Sequence, residues 1–332
     1  MGFLKKATKQ REFMIFAIVL GVMIIMSFAS PYFFTTSNLL ALLLGLSVEV
    51  IMAVGMTSLM VGGGFDMSVG SIVGFTGAST ALLITHGFPI VLAVLVGIII
   101  GGIIGLFNGF IISKVGINPF VTTLASLSLF RGLTLIITQG QNVTNLGKIF
   151  SVIGQKTILG IQMPIWYALI LVIVGDILLR KSRFFRQNYY IGGNEKAAKL
   201  SGISVNKVKI LNYTIVGLLA GVAGIVMTSR LGSASVTAGT GMELRVITAV
   251  IIGGASLQGG EGSVIGAFLG SLLMAIITNA LTLLGVDVYW QTFVIGATLL
   301  IAVVIDRAGK IRKERNTNKG GENVCNTQVT NG

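Results

Sequence analysis

The chain has 332 residues, of which 53% are hydrophobic and only 11% charged. A soluble domain keeps about a quarter of its residues charged, so this composition excludes an ordinary soluble protein and makes the bilayer the solvent. The net charge of +13 is no nucleic-acid signal, because most Lys and Arg fall in five short runs, at 5–11, 114, 180–186, 196–209 and 307–319, and such runs mark loops held in the cytoplasm.

The first apolar run, 13–30, follows a basic start and ends in SFASP. An export signal has the same shape, but a polytopic chain needs no separate one, and the run reads as a span. Further spans are expected at 39–61, 68–85, 89–112, 119–138, 163–180, 210–229, 244–258, 263–284 and 289–305, each near the ~20 residues that cross a bilayer. The exception is 244–258, which is short and flanked by glycines, the pattern of a half-helix or re-entrant segment. Pro89, Pro119 and Pro164 open spans, where a missing N–H costs nothing, and Pro31 closes the first. Glycines three or four apart in GGIIGLFNG, GLLAGVAG and GAFLG allow close approach of helix backbones in lipid.

The expected fold is therefore an all-α polytopic membrane protein with about ten transmembrane helices. Segment 1–12 is a cytoplasmic N-terminal stretch, 13–306 the membrane domain with a basic loop at 181–209, and 307–332 a cytoplasmic polar tail without order. With the N-terminus inside, the basic loops near 114, 181–209 and 306–332 share the cytoplasmic side. The turn at His86, the 139–162 loop, the 230–243 segment and the turn at Gly285 fall outside. GGGFDMSVGSIVG (62–74) is echoed by GGASLQGGEGSVIG (253–266), either an internal repeat or a chance likeness of two glycine-rich breaks.

Enzymatic chemistry finds little material. The chain lacks a G-x-x-x-x-G-K-[ST] phosphate loop, an H-E-x-x-H pair and a C-x-x-C. One cysteine, Cys325, and one histidine, His86, leave no internal disulfide and no basis for a metal site. No catalytic residue, metal or cofactor is expected.

Ionisable groups at membrane depth are costly unless paired or wet, so each is a functional candidate. Glu49 lies in the second span, Asp66 in the break after it, and Arg131 in the fifth. Asp176 and Arg180, one turn apart, read as ordinary helix stabilisation. Asp66 either caps the helix starting near Ser68 or touches solute, and Arg131 and Glu49 either bond to a neighbouring backbone or face a pathway. Asn108, Asn118, Gln139 and Asn279 add neutral polar groups. Amides with few charges suit a neutral polyhydroxylated solute better than a proton relay.

The polar run IGGNEKAAKLSGI, 191–203, stands apart. Asn194 caps a short helix, Glu195 suits its N-terminal dipole, Ala197, Ala198 and Leu200 propagate it, and Gly202 ends it. So short a helix is marginal alone and needs a contact, on its own bundle or on a partner.

This run resembles the cytoplasmic loop with an E-A-A…G pattern in permease subunits of bacterial ribose-type ABC sugar importers, with Lys196 inserted after the Glu. Four further stretches are similar to that family in order: GGGFDMSVGSIVGFTGA (62–78), NPFVTTLASLSLFRGLTLIITQG (118–140), GTGMELRVITAVIIGGASLQGGEGSVIGAFLG (239–270) and VDVYWQTFVIGATLLIAVVID (286–306). Thr248 stands where the pattern has a small alanine. The resemblance covers about 15–306 and places Arg131 on a family position.

It implies a monosaccharide permease in the bacterial inner membrane, multi-pass, with both termini cytoplasmic. A cytoplasmic ABC ATPase would dock on Asn194, Glu195, Ala197, Ala198, Leu200 and Gly202, and an extracytoplasmic sugar-binding protein would deliver solute. A second permease copy or a related chain would complete the pathway, for which Glu49, Asp66, Ser68, Asn108, Asn118, Arg131 and Asn279 are the candidates. The competing reading is a self-sufficient transporter coupled to protons or sodium through Glu49 and Asp66.

Overall fold

A computed structural model describes residues 11–287, 289–304 and 306. The expected lack of order in the tail 307–332 falls outside the described residues, as do the first ten residues of the N-terminal segment. The helices run α1 (Arg11–Ala29), α2 (Thr36–Val61), α3 (Val69–Thr85), α4 (Ile90–Phe110), α5 (Pro119–Thr138), α6 (Lys148–Gln155), α7 (Met163–Lys181), α8 (Arg183–Gly193), α9 (Glu195–Leu200), α10 (Val205–Leu231), α11 (Met242–Ile252) and α12 (Val264–Leu283). A last apolar helix, α13 (Tyr289–Val304), follows. Two two-residue strands, β1 (Thr157–Ile158) and β2 (Ile161–Gln162), form a hairpin between α6 and α7.

Seven of these helices are long and apolar enough to cross a membrane: α1, α2, α4, α5, α7, α10 and α12. Among the described residues each apolar run holds a helix, but α3 and α13 are shorter and α11 has only 11 residues. At 1.5 Å per residue α11 covers about 16 Å, half of a ~30 Å hydrocarbon core. The run 244–258 thus takes the half-helix form of the two expected for it. The segment before α11 is a run of turns: it pairs at Ala234 with Val143 of the loop after α5, and 236–241 then turn along α3. There a Cβ on Gly70 or Gly74 would meet the carbonyl oxygens of Gly239 and Ala238 at 2.3 and 2.8 Å.

α2 is the central helix, buried almost without interruption from Leu46 to Val61. Against it pack α7, α8, α10, α11 and α12. The tightest seam joins α4 to α10. A Cβ on Gly101 would lie 2.4 Å from the Gly217 carbonyl oxygen, and one on Gly105 2.2 Å from that of Tyr213. Packing at backbone contact is what the glycine spacing requires, since lipid supplies no hydrophobic drive between helices. The opposite face of α4 carries exposed Val91, Leu95, Ile99, Ile103 and Leu106, as a lipid-facing surface does.

Local details follow the sequence. Pro119 and Pro164 sit in the first turns of α5 and α7. α4 continues into a π turn, Ile111–Val115, closed by Gly116 in the left-handed conformation. α10 starts at Val205, five residues before the expected span 210–229. Its first turns are polar (Asn206, Lys207, Lys209) and escape a hydropathy reading while still helical. The two glycine-rich breaks, 62–68 and 253–263, lie against each other, with Gly260 N donating to Val61 O at 2.8 Å.

Candidate functional site

Three polar constellations lie along the bundle. At one end, α8 and α9 form a compact hairpin outside the spans. Asn194 Oδ1 accepts from Ala197 N at 3.0 Å and caps α9, while Gly202 adopts φ +83° and terminates it. The helix presents Asn194, Glu195, Ala197, Leu200 and Gly202 outward, and Leu200 is 90% exposed. Ala198 differs: it is buried in a cluster with Ile191, Val205 and Val208 that fixes α9 on the chain itself. Glu195 Oε2 lies 2.7 Å from Lys209 Nζ on α10, so in this state it pairs within the chain.

Next to the first break, Asp66, Ser68 and Asn108 form a wholly buried cluster. Asp66 Oδ1 accepts from Ser68 N at 2.7 Å and from Ser68 Oγ at 2.6 Å. Asn108 Nδ2 donates to Ser68 Oγ at 3.0 Å, and Ser126 Oγ donates to Asn108 Oδ1. The cluster holds the turn into α3 and ties it to α4 and α5. Of the two roles open to Asp66, the geometry displays the cap-like one.

At the end of the bundle away from α9, a cavity of about 360 Å³ opens between α2, α10, α11 and α12. Its polar lining is Glu49, Arg230, Arg245, Thr278, Asn279 and Thr282, and its apolar lining includes Met227, Met242 and Met274. Glu49 Oε1 and Arg245 Nε are 3.2 Å apart across it, joining α2 to α11. Arg230 Nη1 donates to Leu44 O at 2.9 Å, and Asn279 exchanges two hydrogen bonds with Asn38, at 2.8 and 3.1 Å. An adjoining opening of about 640 Å³ shares Arg230, Ala41 and Gly45 and adds Gln155 and Gln162 from the α6–hairpin loop. Arginines, amides and hydroxyls over a methionine floor can hydrogen-bond a polyhydroxylated solute.

Of the pathway candidates, the structure brings Glu49 and Asn279 together at the cavity and Asp66, Ser68 and Asn108 in the buried cluster. The other two do not line the cavity. Asn118 is exposed and caps α5 through Phe120 N at 2.8 Å. Arg131 Nη1 donates to Ala238 O at 2.7 Å and Val236 O at 3.4 Å, pinning the turns before α11, which is the backbone-bonding option. The Asp176–Arg180 pair forms at 2.8 Å, and Glu12 joins it at 2.9 Å. Arg230 and Arg245 were not among the sequence candidates. The signal was available, since both are ionisable residues inside or at the end of apolar runs.

Residues 38–303 match the family model described as branched-chain amino acid transport system / permease component. The chain is 43% identical over 288 residues to the ribose import permease protein RbsC of Bacillus subtilis, covering 86% of this chain and 89% of that one. It is 41% identical over 292 residues to the protein of the same name in Escherichia coli K12, covering 87% and 91%. It is 35% identical over 300 residues to the D-allose transport system permease protein AlsC of the same strain, covering 90% and 91%. The chain belongs to this permease family, as a member of its ribose-type ABC group.

Proposed function

We propose that the chain is the membrane subunit of an ATP-driven importer that carries a monosaccharide, a ribose-like pentose or a hexose, across the bacterial inner membrane. The similarity to ribose permeases over nearly the whole chain is the observation that carries this reading. The cavity of Glu49, Arg230, Arg245 and Asn279 receives the solute from an extracytoplasmic binding protein. The exposed face of α9, led by Leu200, docks on a cytoplasmic ATPase, and two such chains, or this one with a related one, enclose the pathway. α9 is held on the chain through Ala198, which leaves Leu200, 90% exposed, as an apolar side chain that a partner pocket would cover.

In this scheme the permease hydrolyses nothing itself. It has two access states, and the ATPase biases them through α9. Weak solute contacts in the cavity serve release, since tight binding would trap the cargo. The self-sufficient alternative is less supported: Glu49 is engaged by Arg245, and Asp66 is enclosed with all its contacts made inside the chain.

Reconstitution tests the proposal. Vesicles carrying the chain with its ATPase and binding protein should accumulate labelled ribose only with ATP inside the vesicle-equivalent cytoplasmic compartment. Uptake by the chain alone, driven by a proton or sodium gradient, would reverse the assignment.

A further inference from the structure

Apart from the cavity and the docking helix, three buried polar side chains from three helices meet in the apolar interior at the α9 end of the bundle. Asn212 Nδ2 donates to Asn188 Oδ1 at 2.6 Å. Asn188 Nδ2 donates to Ser58 Oγ at 3.0 Å and reaches Asn212 Oδ1 at 3.3 Å, and Ser58 Oγ donates to Asn212 Oδ1 at 3.0 Å. All three are buried, Asn188 completely. Each amide thus both donates to and accepts from the other, so the ring closes on itself.

Such a cluster is an odd choice for stability alone. Burying amides costs free energy that hydrogen bonds only offset, and apolar residues of similar shape would serve packing as well or better. What a satisfied polar network adds is a single permitted arrangement of the helices that carry it. Here those helices are α8, α2 and α10.

Their connections give that arrangement a direction. α8 runs directly into α9, with Asn194 N donating to Tyr190 O at 3.0 Å. Its last turn also sits on backbone: a Cβ on Gly192 would meet the Val61 carbonyl oxygen at 2.0 Å and Gly260 N at 2.3 Å. Tyr189 Oη donates to Gly262 O at 2.8 Å, which adds the second break to the same assembly. In the other direction, Ser58 lies on α2 about 14 Å along the axis from Glu49 at 1.5 Å per residue, and Glu49 holds Arg245 across the cavity.

We infer that Asn188, Asn212 and Ser58 are positioning residues that clamp α8 to α2 and α10 as one rigid body, so that displacement of α9 is delivered along α2 to the Glu49–Arg245 pair at the cavity. The inference rests on the proposed docking of α9 to an ATPase and extends it to residues that touch neither partner nor solute. It names a discrete linked element, biased from one end and read at the other.

The test uses the complete reconstituted complex of permease, ATPase and binding protein. The variant Asn188→Val/Asn212→Val/Ser58→Ala removes the polar ring while leaving the site filled by apolar groups. The expected result is a complex that assembles and hydrolyses ATP as before, with sugar moved per ATP reduced about fivefold or more. Asn188→Ser, which keeps one hydroxyl in the ring, should recover part of that ratio and serves as the readout if the triple variant does not fold. An unchanged ratio in an assembled complex overturns the inference and leaves the cluster a packing feature. Loss of ATPase binding in an otherwise folded variant also overturns it, because the ring would then shape the docking face. Failure of the underlying reading looks different: the unmodified chain would transport without any ATPase.

Discussion

At the scale of single residues, most polar groups at membrane depth are engaged by neighbours in this chain, and that decides what their loss should do. Asp66 supplies the acceptor for Ser68 N and Ser68 Oγ in a fully buried turn. Asp66→Ala should therefore lower stability by about 1–3 kcal/mol, the cost of orphaned buried donors, read as a lower unfolding temperature in detergent. Glu195 is the opposite case. Its pair with Lys209 is largely exposed, so Glu195→Ala should shift stability by no more than ~0.5 kcal/mol while reducing sugar uptake in the complete complex. Wild-type uptake by that variant would remove Glu195 from the docking face and leave it the helix-starting role alone. The pair also alters how the residue reads from sequence, where Glu195 looks free to meet a partner; here any partner must first compete with Lys209.

At the scale of elements, the helix–helix seams are set by glycine, and the α4–α10 seam is the strictest. Gly105→Ala would push a methyl into the Tyr213 carbonyl, and backbone has no rotamer by which to yield. The two helices must part, with a loss of about 1–3 kcal/mol as for other overpacked sites. Gly21→Ala on α1 is the control, since nothing lies within 4 Å of the added methyl and helix propensity favours the change. Thermal unfolding of the two variants side by side checks the contrast. The same scale shows what was legible in advance. Helix positions, proline starts, the α9 caps and the short eleventh helix follow from hydropathy, φ restriction and capping, all of which act within a few residues. The start of α10 does not, because its first polar turns owe their helicity to packing of Val205 and Val208 against Ile191 and Ala198. Nor does the cavity: Glu49, Arg230, Arg245 and Asn279 come from four helices, and only tertiary packing decides that they converge. Arg131 bonds to backbone because the turns before α11 present the Val236 and Ala238 carbonyls to it, which is invisible until that segment is seen to lack a helix.

At the scale of the whole molecule, the direction of transport depends on which end of the bundle faces the cytoplasm. The α8–α9 end carries the exposed Lys181, Arg183, Arg186, Lys196 and Lys199, whereas the longest loop at the cavity end, 139–162, carries two basic residues, Lys148 and Lys156. Basic loops stay inside, so the cavity should open outward and α9 inward. The ion pair across the cavity should then matter for solute passage rather than for docking. Glu49→Gln weakens the hold on Arg245 without emptying the site; it should lower uptake about 5-fold or more while leaving ATPase association intact, an effect of the size typical for coupled sites, measured by transport and co-purification together. Orientation itself is open to a direct test. With Cys325→Ser as background, Lys148→Cys on α6 and Lys199→Cys on α9 each place one thiol on a well-exposed position. A membrane-impermeant maleimide added to intact spheroplasts should label the first and spare the second, and permeabilisation should expose the second. The reverse pattern would put the cavity in the cytoplasm, where no secreted binding protein could reach it, and importer polarity would have to be abandoned even if the family and fold stand.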